Sequence, residues 1–213
     1  GEQGYPGTVN IAVTYSLNDK NELIIDYSGT TDKTTILNTT HHSYFNLSAD
    51  FTKTILDHQL LLNADSMTPV DKRLITTGEL TKVENTPFDF RSLTPIGKNI
   101  NADDQQIKYG LGYDHNWGIN NWDKSVRKVG ELYEPTSGRL MEVFSDQPGI
   151  QFYSGNFLDG SIRGKNGVVY NHRTGLCLEA QHFPDSPNKP EFSSVTLKPG
   201  EQYKQKTIYK FST

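Results

Sequence analysis

The strongest constraint on the fold is a strict alternation of apolar and polar residues near the start of the chain. In TVNIAVTYSL every second residue is apolar, and the same period resumes in ELIIDYS after the polar stretch NDKN. A period of two places all apolar side chains of a strand on one face, whereas a helix requires a period near 3.6. Two such runs joined by a turn predict a β-hairpin. The apolar positions are Val9, Ile11, Val13, Tyr15, Leu17, Leu23, Ile25 and Tyr27.

Short β-rich runs recur through the rest of the chain, separated by Gly, Pro, Asn and Asp. They are GRLMEVFSD, GIQFYSGNF, GVVYNH, LCLEAQ and QYKQKTIYKFS. Their fairly even spacing predicts an all-β sandwich or barrel. Helix is indicated only in SLTPIGKNINADDQQIKYG, where a Ser/Thr cap and an early proline predict one short helix or turn. With 213 residues and no linker or repeat, the chain is predicted to be one domain or part of one.

Charge and cysteine content exclude several classes of protein. The chain has 21 basic and 25 acidic residues without a basic run, so we expect no nucleic-acid partner and no anionic membrane surface. No apolar stretch approaches the roughly 20 residues of a membrane-spanning helix. The single cysteine, Cys177, excludes an internal disulfide, and its apolar neighbours favour a buried, inert thiol over a nucleophile. A lone cysteine is compatible with both cytoplasm and periplasm, so the localisation stays open.

Four polar residues lie in apolar, strand-like surroundings, where burial is costly unless the side chain is paired or functional. They are His42 in THHSYFNL, Asp114 in GYDHNW, Gln151 in PGIQFYSGNF and Glu179 in LCLEAQHFPDSPN. A histidine, two carboxylates and an amide suit acid/base chemistry on hydroxyl groups. Each also has a structural explanation: His42 and Gln151 as satisfied strand residues, Asp114 as the start of an Asx turn, and Glu179 as a paired buried carboxylate.

The two adjacent histidines raise a separate question. Neighbouring side chains of an extended strand point to opposite faces, so His41 and His42 are not expected to bind one metal ion. The six histidines form no HExxH motif and no cysteine pair exists, so no zinc site is predicted, although a cation held by loop carboxylates stays open. GSIRGKNG departs from a phosphate-binding loop in spacing and lacks its Ser or Thr, so no nucleotide site is predicted.

Five stretches, in the same order, resemble successive motifs of the galactose mutarotase (aldose 1-epimerase) family. They are NTTHHSYFNL, MTPVDKRLITTGELTKVENTPFDFR, GYDHNW, PGIQFYSGNFLDG and LEAQHFPDSPN, and together they extend over nearly the whole chain. The resemblance implies a large antiparallel β-sandwich with the substrate cleft across one sheet face. It also implies an isomerase that interconverts the α and β anomers of free aldoses such as galactose or glucose without a cofactor.

Site roles follow from the resemblance position by position. His42 becomes the general acid, Glu179 the general base, and Asp114 and Gln151 the residues that hold sugar hydroxyls. His41 stands where the family usually has asparagine, and a neighbouring imidazole would either tune His42 or pack behind it. None of the matched motifs supplies an arginine or lysine cluster, which favours neutral over phosphorylated sugars.

The resemblance covers the later two-thirds of a family member, so residues 1–213 are expected to form the C-terminal part of a single β-sandwich domain. The earlier region of the family supplies an arginine and a second histidine that bind the sugar. We therefore expect full activity to require an upstream segment, which a cleaved protein would retain as a separate chain and a truncated one would lack. An isolated fragment is expected to expose an apolar sheet edge or face and to self-associate. Two alternatives are a non-catalytic carbohydrate-binding module and a related hydrolase or lyase, although a hydrolase would more typically use two carboxylates.

Overall fold

The computed structural model describes all 213 residues and is built almost entirely from antiparallel β-strands. The strands are β1 (Val9–Leu17), β2 (Glu22–Thr31), β3 (Thr35–Ile36), β4 (Gln59–Leu62), β5 (Ser66–Thr68), β6 (Thr81–Lys82), β7 (Thr94–Pro95), β8 (Asp114–Gly118), β9 (Arg127–Tyr133), β10 (Leu140–Ser145), β11 (Gly149–Tyr153), β12 (Cys177–Gln181), β13 (Thr196–Leu197) and β14 (Tyr203–Ser212). One short helix, α1 (Gln105–Gly110), is the only α-helix. No helix has the length and apolar character that crossing a membrane would demand.

Two sheets form the body of the molecule. The larger has seven strands in the order β1-β2-β14-β10-β9-β4-β7, and the smaller has five in the order β12-β11-β8-β5-β6. A cluster of 26 buried apolar residues draws on both sheets, for example Ile25 and Val143 from the larger and Trp117, Phe152 and Leu178 from the smaller. The predicted antiparallel β-sandwich is therefore confirmed, and β3 and β13 pair separately as a two-stranded ribbon.

The predicted hairpin forms in the register that its alternation implies. Val13 lies opposite Tyr27 and Tyr15 opposite Ile25, so the apolar positions of β1 and β2 share one face. Burial differs sharply between the two strands: Ile25 is fully buried, whereas all nine residues of β1 are exposed. The exposed side chains Val9, Ile11, Val13, Tyr15 and Leu17 form what we call the β1 apolar row. Such a row on an edge strand is a surface suited to pairing or coverage.

The other β-rich runs become strands with one exception. GRLMEVFSD, GIQFYSGNF, LCLEAQ and QYKQKTIYKFS contain β10, β11, β12 and β14. The prediction for GVVYNH was wrong, because this stretch makes only an isolated bridge between Arg163 and Val169. Val168 and Val169 are only half-buried and Tyr170 is exposed, so no sheet face is available to bury these side chains.

The single helix lies inside the predicted stretch but uses a different cap. The carboxylate of Asp104 accepts hydrogen bonds from the backbone N–H groups of Gln106 and Ile107. These bonds satisfy two of the donors that a helix leaves unpaired at its first turn. The early proline, Pro95, instead precedes a short 3-10 turn at Ile96–Lys98.

Candidate active site

Three neighbouring strands of the smaller sheet bring the predicted site residues together. In register, Gln151 on β11 lies between Glu179 on β12 and Asn116 on β8. Two residues further along β11, Tyr153 lies between Cys177 on β12 and Asp114 on β8. Side chains two positions apart share a face, so these six residues form two rows on one face of the sheet. The intervening residues, including Leu178, Phe152 and Trp117, face the core.

An extended segment, residues 37–45, lies along the outer edge of β12 and carries both histidines. The hydroxyl of Thr40 donates to the carbonyl of Ala180 at 3.1 Å, and the N–H of Phe45 donates to the carbonyl of Leu176 at 2.7 Å. Gln205 of β14 also donates its amide to the Ala180 carbonyl, and the Tyr209 hydroxyl donates to that of Leu178. The edge of β12 that does not pair with β11 is thus held by residues 37–45 and by β14.

His41 and His42 point in opposite directions, as the extended backbone predicts. His42 faces the sheet, with its Nε2 atom 3.5 Å from Oε1 of Glu179. The ring of His41 instead lies 5.7 Å from the rings of both Tyr15 and Tyr209, and its Nε2 shares a hydrogen bond with the Ser43 hydroxyl. Burial is the main cause that lowers the pKa of His41, with a smaller contribution from His42. His41 therefore packs behind the site as a neutral ring.

Glu179 is the more buried partner of the His42 pair, with 6% of its surface exposed. Burial raises its pKa from 4.5 to about 7, because the charged form is poorly solvated. The nearby His42 opposes this shift and the carboxylate of Asp114 reinforces it. A carboxylate with a pKa near neutrality can both take and release a proton under physiological conditions.

Asp114 and Gln151 are joined directly. The Gln151 amide donates from Nε2 to Oδ1 of Asp114 at 2.8 Å. Burial raises the pKa of Asp114, while this hydrogen bond and His42 lower it. The side-chain hydrogen bond of Asp114 goes to Gln151 and not to the backbone two residues on, so the structure does not support the Asx-turn alternative.

All four predicted site residues line one open cleft of about 490 Å³. The full lining is His42, Tyr44, Asp114, Gln151, Tyr153, Phe157, Glu179, Gln181 and Pro184. A shallow cleft of this size, lined by an imidazole, two carboxylates and amide side chains, can accommodate a small hydroxylated molecule. It contains no lysine or arginine.

A comparison with known protein families identifies the family of this chain. The family model described as aldose 1-epimerase matches residues 1–210. The chain belongs to the aldose 1-epimerase family. Galactose mutarotase from Mus musculus is 45% identical over 212 residues, which are 100% of this chain and 60% of the relative. Aldose 1-epimerase from Haemophilus influenzae is 41% identical over 215 residues, which are 99% of this chain and 62% of the relative.

A solved structure of another family member has the same fold. The crystal structure of a GalM/aldose epimerase homologue from C. elegans superposes with a TM-score of 0.88 at 33% identity, covering 99% of this chain and 62% of that one. The chain thus spans about three-fifths of the length of the curated relatives it matches.

Aromatic side chains form one wall of the cleft in this aldose 1-epimerase homologue, and sequence reasoning missed them. The rings of Tyr153 and Phe157 are stacked 6.0 Å apart, and Tyr44 meets Tyr153 edge-on at 6.1 Å. Flat aromatic surfaces suit the apolar faces of sugar rings. The available signal was position: Tyr153 lies two residues after Gln151 on the same strand and must share its face.

One group of side chains could in principle hold a metal ion. Ligand atoms of His42, Cys177 and Glu179 all lie within 4.8 Å of one another. The thiolate, not the thiol, binds metals, and burial raises the pKa of Cys177 far above its usual value. Without a metal ion, Cys177 is therefore an uncharged thiol beside His42.

Proposed function

We propose that this protein interconverts the α and β anomers of free aldoses such as galactose or glucose. The observation that carries the proposal is the 3.5 Å separation between Nε2 of His42 and Oε1 of Glu179 at the floor of the cleft. The anomeric carbon of a sugar bears both the hydroxyl that must lose a proton and the ring oxygen that must gain one. An acid and a base that act on one carbon must converge in this way.

Proton transfers in the proposed reaction balance between the two residues. The Glu179 carboxylate takes the proton of the anomeric hydroxyl while protonated His42 gives its Nε2 proton to the ring oxygen. The bond between the ring oxygen and the anomeric carbon breaks, leaving an open-chain aldehyde that rotates about its C1–C2 bond. On ring closure at the other face, the open-chain hydroxyl returns its proton to His42 while Glu179 gives its proton to the aldehyde oxygen, so both residues regain their starting states. In this scheme Asp114 and Gln151 hold sugar hydroxyls.

The cleft supports a neutral sugar as substrate. A phosphorylated sugar would call for a cluster of arginine or lysine side chains, and the part of the cleft formed by residues 1–213 contains neither. A glycoside hydrolase would place two carboxylates about the scissile bond, whereas here the groups that converge are an imidazole and a carboxylate. The alternative of a binding module without turnover predicts sugar binding with no acceleration of anomer exchange.

We further propose that an additional polypeptide segment covers this chain in the native protein. Three observations support it: 52% of the His42 side chain is exposed, the β1 apolar row is exposed, and the curated relatives are longer. Native mass spectrometry should find a second polypeptide, or additional residues, associated with these 213 residues. A species with the mass of this chain alone, in a sample that does not self-associate, would contradict the proposal.

Polarimetry provides the direct test of function. Freshly dissolved α-anomer of galactose or glucose should reach its equilibrium rotation faster with the native protein, assayed with any associated chain retained, than in buffer. The control is the same protein after heat inactivation. A rate equal to that of buffer would refute the enzymatic proposal, and sugar binding under the same conditions would then favour the binding module.

A further inference from the structure

Cys177 contacts one ring nitrogen of the proposed general acid, and the general base lies beside the other. Its position on β12, two residues before Glu179, places both side chains on the same face. Sγ of Cys177 lies 3.3 Å from Nδ1 of His42, whereas Glu179 lies beside Nε2. Cys177 is fully buried, and this contact is the only hydrogen bond of its thiol.

We propose that Cys177 is a positioning residue whose Sγ accepts a hydrogen bond from Nδ1–H of His42, so that Nε2 is the nitrogen that gains and loses the catalytic proton. The proposal rests on the function proposed above, because it assigns the proton path within the same site.

The reaction itself requires this tautomer. Protonated His42 carries a hydrogen on both nitrogens and gives the Nε2 hydrogen to the ring oxygen. The neutral ring that remains must keep its hydrogen on Nδ1, with a lone pair on Nε2 ready to recover a proton at ring closure. A partner that binds Nδ1–H in both states holds the ring in place throughout the cycle.

A neutral sulfur suits this position better than a carboxylate would. Burial and the carboxylates of Glu179 and Asp114 raise the pKa of Cys177, so the group stays an uncharged thiol. An anionic partner at Nδ1 would stabilise the charged imidazole and make His42 a weaker acid. Thiol sulfur is only a weak acceptor, so it fixes the orientation of the ring without holding the proton strongly.

Nitrogen-15 NMR of the full chain tests the proposal without relying on activity. At alkaline pH, two-bond correlations from the ring protons of neutral His42, assigned by their loss in His42→Asn, should show the hydrogen on Nδ1. A hydrogen on Nε2 in the unmodified protein would overturn the proposal whether or not the protein accelerates anomer exchange. A buffer-level rate with the Nδ1 hydrogen in place would refute only the proposed function.

Two variants of the cysteine separate positioning from packing. Cys177→Ser retains an acceptor and should keep the Nδ1–H tautomer. Cys177→Val retains bulk but has no acceptor, so it should yield a mixture of tautomers and a kcat lowered by roughly 3- to 10-fold, with KM nearly unchanged. The proposal fails if the valine variant keeps both the tautomer and kcat, or if the serine variant loses the tautomer. Should the valine variant not fold, the unmodified and serine proteins still decide the question.

Discussion

Replacement of Glu179 by glutamine should reduce the catalysed rate of anomer exchange by roughly 10²- to 10⁴-fold, the usual contribution of a general base. Glutamine keeps the shape of the side chain but cannot accept the proton of the anomeric hydroxyl. Polarimetry on Glu179→Gln measures the loss, and Glu201→Gln, which changes an exposed glutamate, should retain the unmodified rate. A Glu179→Gln protein as fast as the unmodified one would remove Glu179 from the mechanism.

The same substitution, which should lower the catalysed rate, should raise the stability of the folded chain near pH 8. Because burial raises the pKa of Glu179 to about 7, the folded chain binds this proton more tightly than the unfolded chain, whose value is near 4.5. The resulting stabilisation is fully present below about pH 4.5 and is lost as the pH rises through about 7. Near pH 8 the folded chain bears the cost of burying the charged Glu179 carboxylate, and glutamine has no charged form. Glu179→Gln should therefore be more stable than the unmodified protein near pH 8, by on the order of 3 kcal/mol. Near pH 4.5 the two proteins should be about equally stable.

Thermal unfolding at the two pH values therefore separates chemistry from folding. A variant that loses activity and gains stability near pH 8 has lost a base and not its fold. In the unmodified protein, the rate acceleration should also fall as the pH decreases through about 7, because the carboxylate becomes protonated. A variant that unfolds earlier than its parent at both pH values would contradict the burial argument.

Local patterns predicted β1, β2, β10, β11, β12 and β14 but left out the remaining strands, and they did not show how each predicted strand is surrounded. Period-two alternation fixed the β1–β2 hairpin and its register, since a shift by one residue would turn every apolar side chain to the other face. The stretch GVVYNH has equally good β-forming residues, yet no neighbouring strand extends its single bridge. Whether a partner strand exists is a non-local property, and alternation alone does not encode it.

The candidate site depends on contacts between residues far apart in sequence. His42 and Glu179 meet only because the 37–45 segment lies along β12. From the residues alone, His42 could as well have been structural, and the acid and base roles came from the resemblance. Tyr153 and Tyr44 were overlooked because an aromatic residue in a strand is more often part of the core. The contact between Cys177 and His42 had no local signal at all.

Substitution of His42 is the second change expected to have a large effect on the rate, and substitution of the adjacent His41 provides its control. His42→Asn should slow anomer exchange by roughly 10²- to 10⁴-fold, because asparagine cannot protonate the ring oxygen. His41→Asn introduces the same change one residue earlier, into a ring that contacts Tyr15, Tyr209 and Ser43 and lies outside the cleft. Its rate in polarimetry should stay close to that of the unmodified protein.

The double variant asks whether acid and base act as one unit. If His42 and Glu179 exchange protons with the same substrate in one step, loss of either disables that step, and the second loss has little left to remove. His42→Asn combined with Glu179→Gln should then be no slower than the slower single variant. Losses that multiply would mean that the two residues act in separate steps. Equal sensitivity to His41→Asn and His42→Asn would instead show that the segment as a whole, and not the imidazole facing Glu179, sets the rate.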